Sequence, residues 1–177
     1  MIDGLNPELN HIGLIAFGSS SKVMAPLSSK HDVLMKAVEA MSSMGGTVYS
    51  TALQHCYESF QNADKGGASR KRVMVFQTDG ENDSSDDART KELRTKLCQE
   101  LHVKCIAAVA NSNTSVIRGG TAVTGWPDQD PDSLDLTKLV VPFSDYNNLQ
   151  KDADKVMRLG YAHDPGALGV TTGKATM

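Results

Sequence analysis

The sequence predicts an α/β fold: a mostly parallel sheet with helices on both faces. Three observations carry this. Short apolar runs of strand length alternate with segments of helical periodicity along nearly the whole chain. The run Arg72-Val-Met-Val-Phe-Gln77 shows no polar alternation, as expected of a strand buried on two faces, and it stops in Thr78-Asp79-Gly80. The 177 residues, 40% of them apolar, suffice for one domain with its own core.

Taken in order, His11–Phe17 reads as the first strand and Gly18–Ser21 as a turn. Lys22–Pro26 is a short extended piece at a sheet edge, because Pro26 cannot donate to a ladder. A helix runs from about Asp32 to about Ser43, with Leu34, Ala37, Val38 and Met41 spaced to face the core, and Gly45-Gly46 stops it. A second helix, about Tyr49 to Gln61, turns Leu53, Cys56, Tyr57 and Phe60 inward. A polar loop then leads into the strand at Arg72. Past Asp79 the acidic stretch Glu81–Asp87 opens a third helix with Leu93, Leu97 and Leu101 buried; acidic residues favour a helix N-terminus.

Val103–Ala110 is the next strand. Asn111–Leu136 is a long loop, and loops of that length are functional or mobile. Leu139–Phe143 is a last, edge strand, and Asp145 caps a final helix to about Leu159. The domain thus spans residues 1–160, and residues 161–177 are expected to form a disordered tail.

Composition removes several function classes. A net charge of −3 with no basic stripe argues against nucleic acid and anionic membranes. No apolar run is long enough to span a bilayer. The first residues lack a basic n-region and an apolar h-region, and the three cysteines are an odd number at irregular spacing. Both features favour reduced core thiols and an intracellular location. There is no Gly-x-Ser-x-Gly, no His-Glu-x-x-His and no Gly-rich phosphate loop after a strand, so the expectation is not an enzyme.

Individual residues keep two readings each. Asp79 is a turn-former before glycine or, at the carboxyl end of a strand, a site carboxylate. Thr47 is an N-cap for the second helix or a hydroxyl ligand. Asp83, Asp86 and Asp87 are a solvated helix start or a second cation site. Cys98-x3-His102-x2-Cys105 holds zinc-ligand types, with Cys98 and His102 on one helix face, but Cys105 opens an apolar strand and should point into the core. Trp126, among Asp128 and Asp130 in the loop that begins at Asn111, is loop packing or an interface anchor.

The ordered set His11-Ile-Gly-Leu-Ile-Ala-Phe-Gly18, Met44-Gly-Gly-Thr47 with Ala52-Leu53 behind it, and Val73-Met-Val-Phe-Gln-Thr-Asp-Gly-Glu81 resembles the von Willebrand factor type A domain. Val141-Pro-Phe-Ser-Asp-Tyr-Asn-Asn-Leu149 resembles that family's last strand and final helix, so the likeness covers roughly residues 9–160. It implies a Rossmann-like sheet and a protein-binding module. It also implies a metal-ion-dependent adhesion site that holds Mg²⁺, where an acidic side chain of a partner protein completes the shell. Thr47 matches the second metal loop and Asp79 the third. The Asp-x-Ser-x-Ser of the first loop does not occur. The chain opens where the family's second strand begins, so the resemblance implies that about forty residues, with the central first strand and first helix, are absent.

Three expectations follow. The metal site is incomplete, from Thr47 and Asp79 alone, and binds Mg²⁺ weakly. The strands at His11 and Val73, neighbours of the missing one, pair directly, leave a slot or accept a strand from elsewhere, which favours instability or association. The partner loop contains Asn111, Trp126, Asp128 and Asp130. The alternatives are a truncated scaffold without metal-dependent binding, and a metal-dependent enzyme on a similar sheet with Asp79 as ligand or base.

Overall fold

A computed structural model of the chain describes residues 10–63, 71–110, 120–124, 140–143 and 156. Among these, five strands and three α-helices follow the order β1 (Ile12–Phe17), β2 (Ser21–Ser28), α1 (His31–Glu39), α2 (Tyr49–Asn62), β3 (Arg72–Thr78), α3 (Asp87–Gln99), β4 (Val103–Ala110) and β5 (Val140–Phe143). A 3₁₀ turn, Ser84–Asp86, leads into α3, and residues 120–124 are helical.

The strands form two groups. β3, β4 and β5 make a parallel sheet in that order, with Thr78 opposite Val109 and Ala110 opposite Phe143. β1 and β2 form a separate antiparallel pair with register shifts near Leu14. Pro26 is exposed on β2, as an edge position requires.

β4 is the central strand, and its sequence shows it: every residue but Lys104 is buried. On one side Met74, Phe76, Val103 and Cys105 pack under Leu53 and Cys56 of α2, Leu93 and Leu97 of α3, and Val123. On the other, Ile106, Ala108, Ala110, Val141 and the helical Val156 cluster, with Val73 against them. Among the described residues, α2 and α3 thus cover one face of the parallel sheet and the helical residue Val156 lies on the other.

β1 and β3 depart from their apolar sequences. Both are expected to be buried on two faces, yet Val75 and Gln77 of β3 are exposed and β1 is mostly half-buried. The reason is pairing. Among the described residues β1 bonds only to β2 and β3 only to β4, so direct pairing of β1 with β3 does not occur. Side chains join the two groups instead. Phe17 lies 4.6 Å from Phe76, Tyr49 lies 4.8 Å from Phe76, and Phe17 meets Tyr49 edge-on at 6.0 Å, all between ring centroids. These rings come from β1, α2 and β3, and each such pair adds about 0.5–1.5 kcal/mol beyond its area burial.

α1 is shorter than its periodicity suggests. It ends at Glu39, not near Ser43, and of its four apolar positions only Leu34 is buried. Val38 and Met41 are exposed among the described residues. The long loop expected from Asn111 is also interrupted: residues 120–124 are helical, and Val123 enters the core. Asn111, Trp126, Asp128 and Asp130, the tail 161–177, and the final helix apart from Val156 lie outside the described residues.

Phe76→Ala removes the ring that lies nearest to both others. It should cost roughly 3–5 kcal/mol of unfolding free energy, read by urea titration. A loss under 1 kcal/mol would show that the rings do not join the two strand groups.

Candidate functional site

Asp79 follows the last residue of β3, so it sits at the carboxyl edge of the parallel sheet. Gly80, with φ 98°, turns the chain away at once, a conformation that favours glycine. Thr78 fixes this turn. Its buried Oγ1 accepts the Gly80 N–H at 3.0 Å and lies 2.8 Å from the Tyr49 hydroxyl.

Thr47 reaches the same edge through the backbone. The Asp83 N–H donates to the Thr47 carbonyl at 3.1 Å, and the Val48 N–H donates to the Gly18 carbonyl at 2.9 Å. The Ser19 N–H and hydroxyl both donate to the Gly45 carbonyl. Three loops are thereby laced together: the β1–β2 turn, the Gly45–Val48 segment and the stretch after β3. Gly18 is required by the close approach, since a Cβ there would collide with the Gly45 carbonyl.

Thr47 does not cap α2. The N-cap position is Val48, which has no side-chain capping bond. The β3–α3 loop does the capping instead. Asn82 Oδ1 accepts the Tyr49 N–H at 3.1 Å, and Asp86 Oδ2 accepts the Ser50 N–H at 2.8 Å. Asp86 Oδ2 also accepts the Thr90 hydroxyl at 2.9 Å. Asp86 is buried, at 8% exposure, so it is not part of a solvated helix start. Asp83 and Asp87 are exposed. The Ser85 hydroxyl and then its N–H bond the Asp83 carboxylate and hold its pKa below the ordinary carboxylate value.

Sequence reading missed Asn82 and Asp86 as helix caps. An acidic residue just before α3 suggests a cap for α3, but nothing local points to a helix 36 residues away. The edge also carries a shallow groove of about 430 Å³ along α2, lined by Ser20, Ser21, Ser50, Thr51, His55 and Arg89. The Arg89 guanidinium is held there by Glu92 at 2.7 Å and Gln54 at 3.1 Å.

For a divalent cation the edge offers the exposed Asp79 carboxylate and the half-buried Thr47. Both are hard oxygen donors of the type Mg²⁺ takes. Among the described residues no group of three or more His, Cys, Asp or Glu is placed to hold a metal ion. His102 does not extend a face of α3, which ends at Gln99; it adopts a left-handed φ of 52° in the turn before β4. Among the described residues no helix is long and apolar enough to cross a membrane.

Comparison with known proteins agrees with the fold. Residues 2–81 match the profile of the von Willebrand factor type A domain. No curated protein matches the chain by sequence. Among solved structures, the conserved hypothetical protein BatB of Bacteroides thetaiotaomicron superposes with a TM-score of 0.60 at 16% identity, over 88% of this chain and 80% of that one. Manganese-loaded TRAP of Plasmodium vivax gives 0.63 at 17% identity, over 88% of this chain and 61% of that one. Proximal thread matrix protein 1 of the mussel byssus, with a zinc-occupied MIDAS motif, gives 0.60 at 18%, over 84% of this chain and 36% of that one. The chain thus spans less than two thirds of the last two.

Tyr49 gives the site a pH signature. Burial first, against the Thr78 hydrogen bond, and then the charges of Asp79 and Glu81 push its hydroxyl up to about 12. Above pH ~10 an unfolded tyrosine ionises while Tyr49 stays protonated, so stability present below that pH is lost between about 10 and 12. Tyr49→Phe should cost about 1 kcal/mol at pH 7 and flatten the alkaline fall. The slope that remains belongs in part to Cys56, whose thiol burial raises to about 12. Urea unfolding across this range checks it; an unchanged alkaline slope in Tyr49→Phe would contradict the assignment.

Proposed function

We propose that this chain, a von Willebrand factor type A domain by fold and by the sequence of residues 2–81, is a protein-binding module that engages its partner at the carboxyl edge of the sheet. The lacing of three loops carries the reading. The bonds Val48 to Gly18, Ser19 to Gly45 and Asp83 to Thr47 fix a rigid rim of exposed serine, glycine and carboxylate groups. Loops held on a rigid scaffold are where binding residues concentrate. The groove containing Arg89 continues this rim along α2 and suits an acidic side chain of the partner.

The cation contribution is weak. Thr47 and Asp79 would hold Mg²⁺ or a similar ion, with most of its six positions left to water. Asp83 does not strengthen the set, because Ser85 already occupies its Oδ1. When bound, such an ion supplies a positive pole for a partner carboxylate. The chain's own residues do the orienting: Thr78 fixes the turn that carries Asp79, and Asp83 anchors the backbone of Thr47. Binding, not turnover, is the activity this arrangement serves.

Calorimetric titration with Mg²⁺ and then Mn²⁺ tests the incomplete site. Dissociation constants of about a millimolar or weaker are expected. Micromolar affinity that disappears in Asp79→Ala would contradict it and assign a full metal-dependent adhesion site.

A further inference from the structure

The three cysteines come from three elements and pack against one core. Cys56 from α2 and Cys105 from β4 are buried in the core between the helices and the parallel sheet, and Cys98 near the end of α3 packs against the same core. Cys98 and Cys105 are in direct contact, with their sulfurs 3.6 Å apart. The two face each other across the α3–β4 turn, where the N–H groups of Glu100 and Leu101 donate to the Lys96 carbonyl and His102 takes its left-handed φ.

We propose that Cys98 and Cys105 form a reversible redox pair, which a hydroperoxide converts into a disulfide clamping the end of α3 to the start of β4. The sulfurs need to close by about 1.6 Å to reach disulfide length. Exposure decides the order of events. Cys98 is partly exposed while Cys105 is 1% exposed, so the oxidant meets Cys98 first. The same contact prepares the nucleophile: the Cys105 thiol donating to the Cys98 sulfur lowers the Cys98 pKa to about 7, aided by Arg94.

The chemistry balances in two steps. The Cys98 thiolate attacks one peroxide oxygen and breaks the O–O bond; protonation of the departing oxygen gives water, or an alcohol from an organic peroxide, and leaves Cys98 as a sulfenic acid. The Cys105 sulfur then attacks the Cys98 sulfur, the S–S bond forms, and the sulfenic oxygen leaves as water with the Cys105 proton. Two thiols lose two electrons and two protons, and the peroxide takes both. Cys56 stays out, since the sulfur in contact with Cys98 is that of Cys105, and Cys56 is itself buried away from the oxidant.

Reduced full-length chain treated with hydrogen peroxide, alkylated and digested with trypsin without reductant tests this. The expected product is about 2 Da lighter before alkylation. It yields one linked species joining the peptide 97–104 to the peptide that begins at Cys105, with Cys56 alkylated. A thiol reductant reverses it. Cys56→Ser should keep the linkage and Cys98→Ser should abolish it; the partly exposed position of Cys98 keeps that variant informative if Cys105→Ser fails to fold. Sulfinic or sulfonic acid at Cys98 without linkage, a disulfide to Cys56, or a dimer through Cys98 as the main product would each overturn the proposal.

Discussion

The Asp86 carboxylate holds the starts of two helices together. One oxygen takes the Ser50 N–H from the first turn of α2 and the Thr90 hydroxyl from the first turn of α3. A helix leaves its first N–H groups without internal partners, and a negative charge near that end is favourable. Asp86 meets both needs from a buried position. Asn82 repeats the arrangement beside it, accepting from the Tyr49 N–H and donating to Asp87. The loop after β3 is consequently fixed to the start of α2, and Thr47, two residues before that helix, has nowhere to go but the sheet edge where Asp79 lies.

Beneath this polar junction sits an apolar one. Tyr49 belongs to both: its N–H bonds Asn82, its hydroxyl bonds Thr78, and its ring packs on Phe17 and Phe76. Since β1 and β3 are not hydrogen-bonded to each other, α2 and these rings are the described link between the two strand groups. This explains why α2 buries Tyr49, Ser50, Ala52, Leu53 and Cys56. It also explains the half-exposed β3. Covered under Val73 but open at Val75, it uses one face for the core and leaves part of the other uncovered.

Much of this fold was legible in the sequence, because local patterns report local structure. β4 matches its apolar run residue for residue, α2 matches its periodicity to within one residue, and Asp79 stands at the strand end its Thr-Asp-Gly ending indicates. What was not legible depends on contacts between distant segments. Asp83, Asp86 and Asp87 look alike in sequence, yet only Asp86 is buried, because α2 arrives on top of it. Val38 and Met41 follow a helical stripe, but no described segment covers them. Cys98 and Cys105 were grouped in sequence with His102 as zinc-ligand types, but their direct sulfur contact depends on the reversal of direction between α3 and β4. The candidate site divides the same way: Asp79 was read from its strand, while the groove around Arg89 emerges only when α2 and α3 are packed together.

The junction depends on α2 being capped from the loop after β3, and amide hydrogen exchange at Ser50 tests that capping. First-turn amides ordinarily exchange fast because they lack helical partners. With Asp86 in place, the Ser50 amide should be protected to the level of the α2 interior. In Asp86→Ala that protection should fall by at least about tenfold at Ser50 while the amides of β4 remain protected. Fast exchange at Ser50 in the unmodified chain, or protection unchanged by Asp86→Ala, would contradict the account.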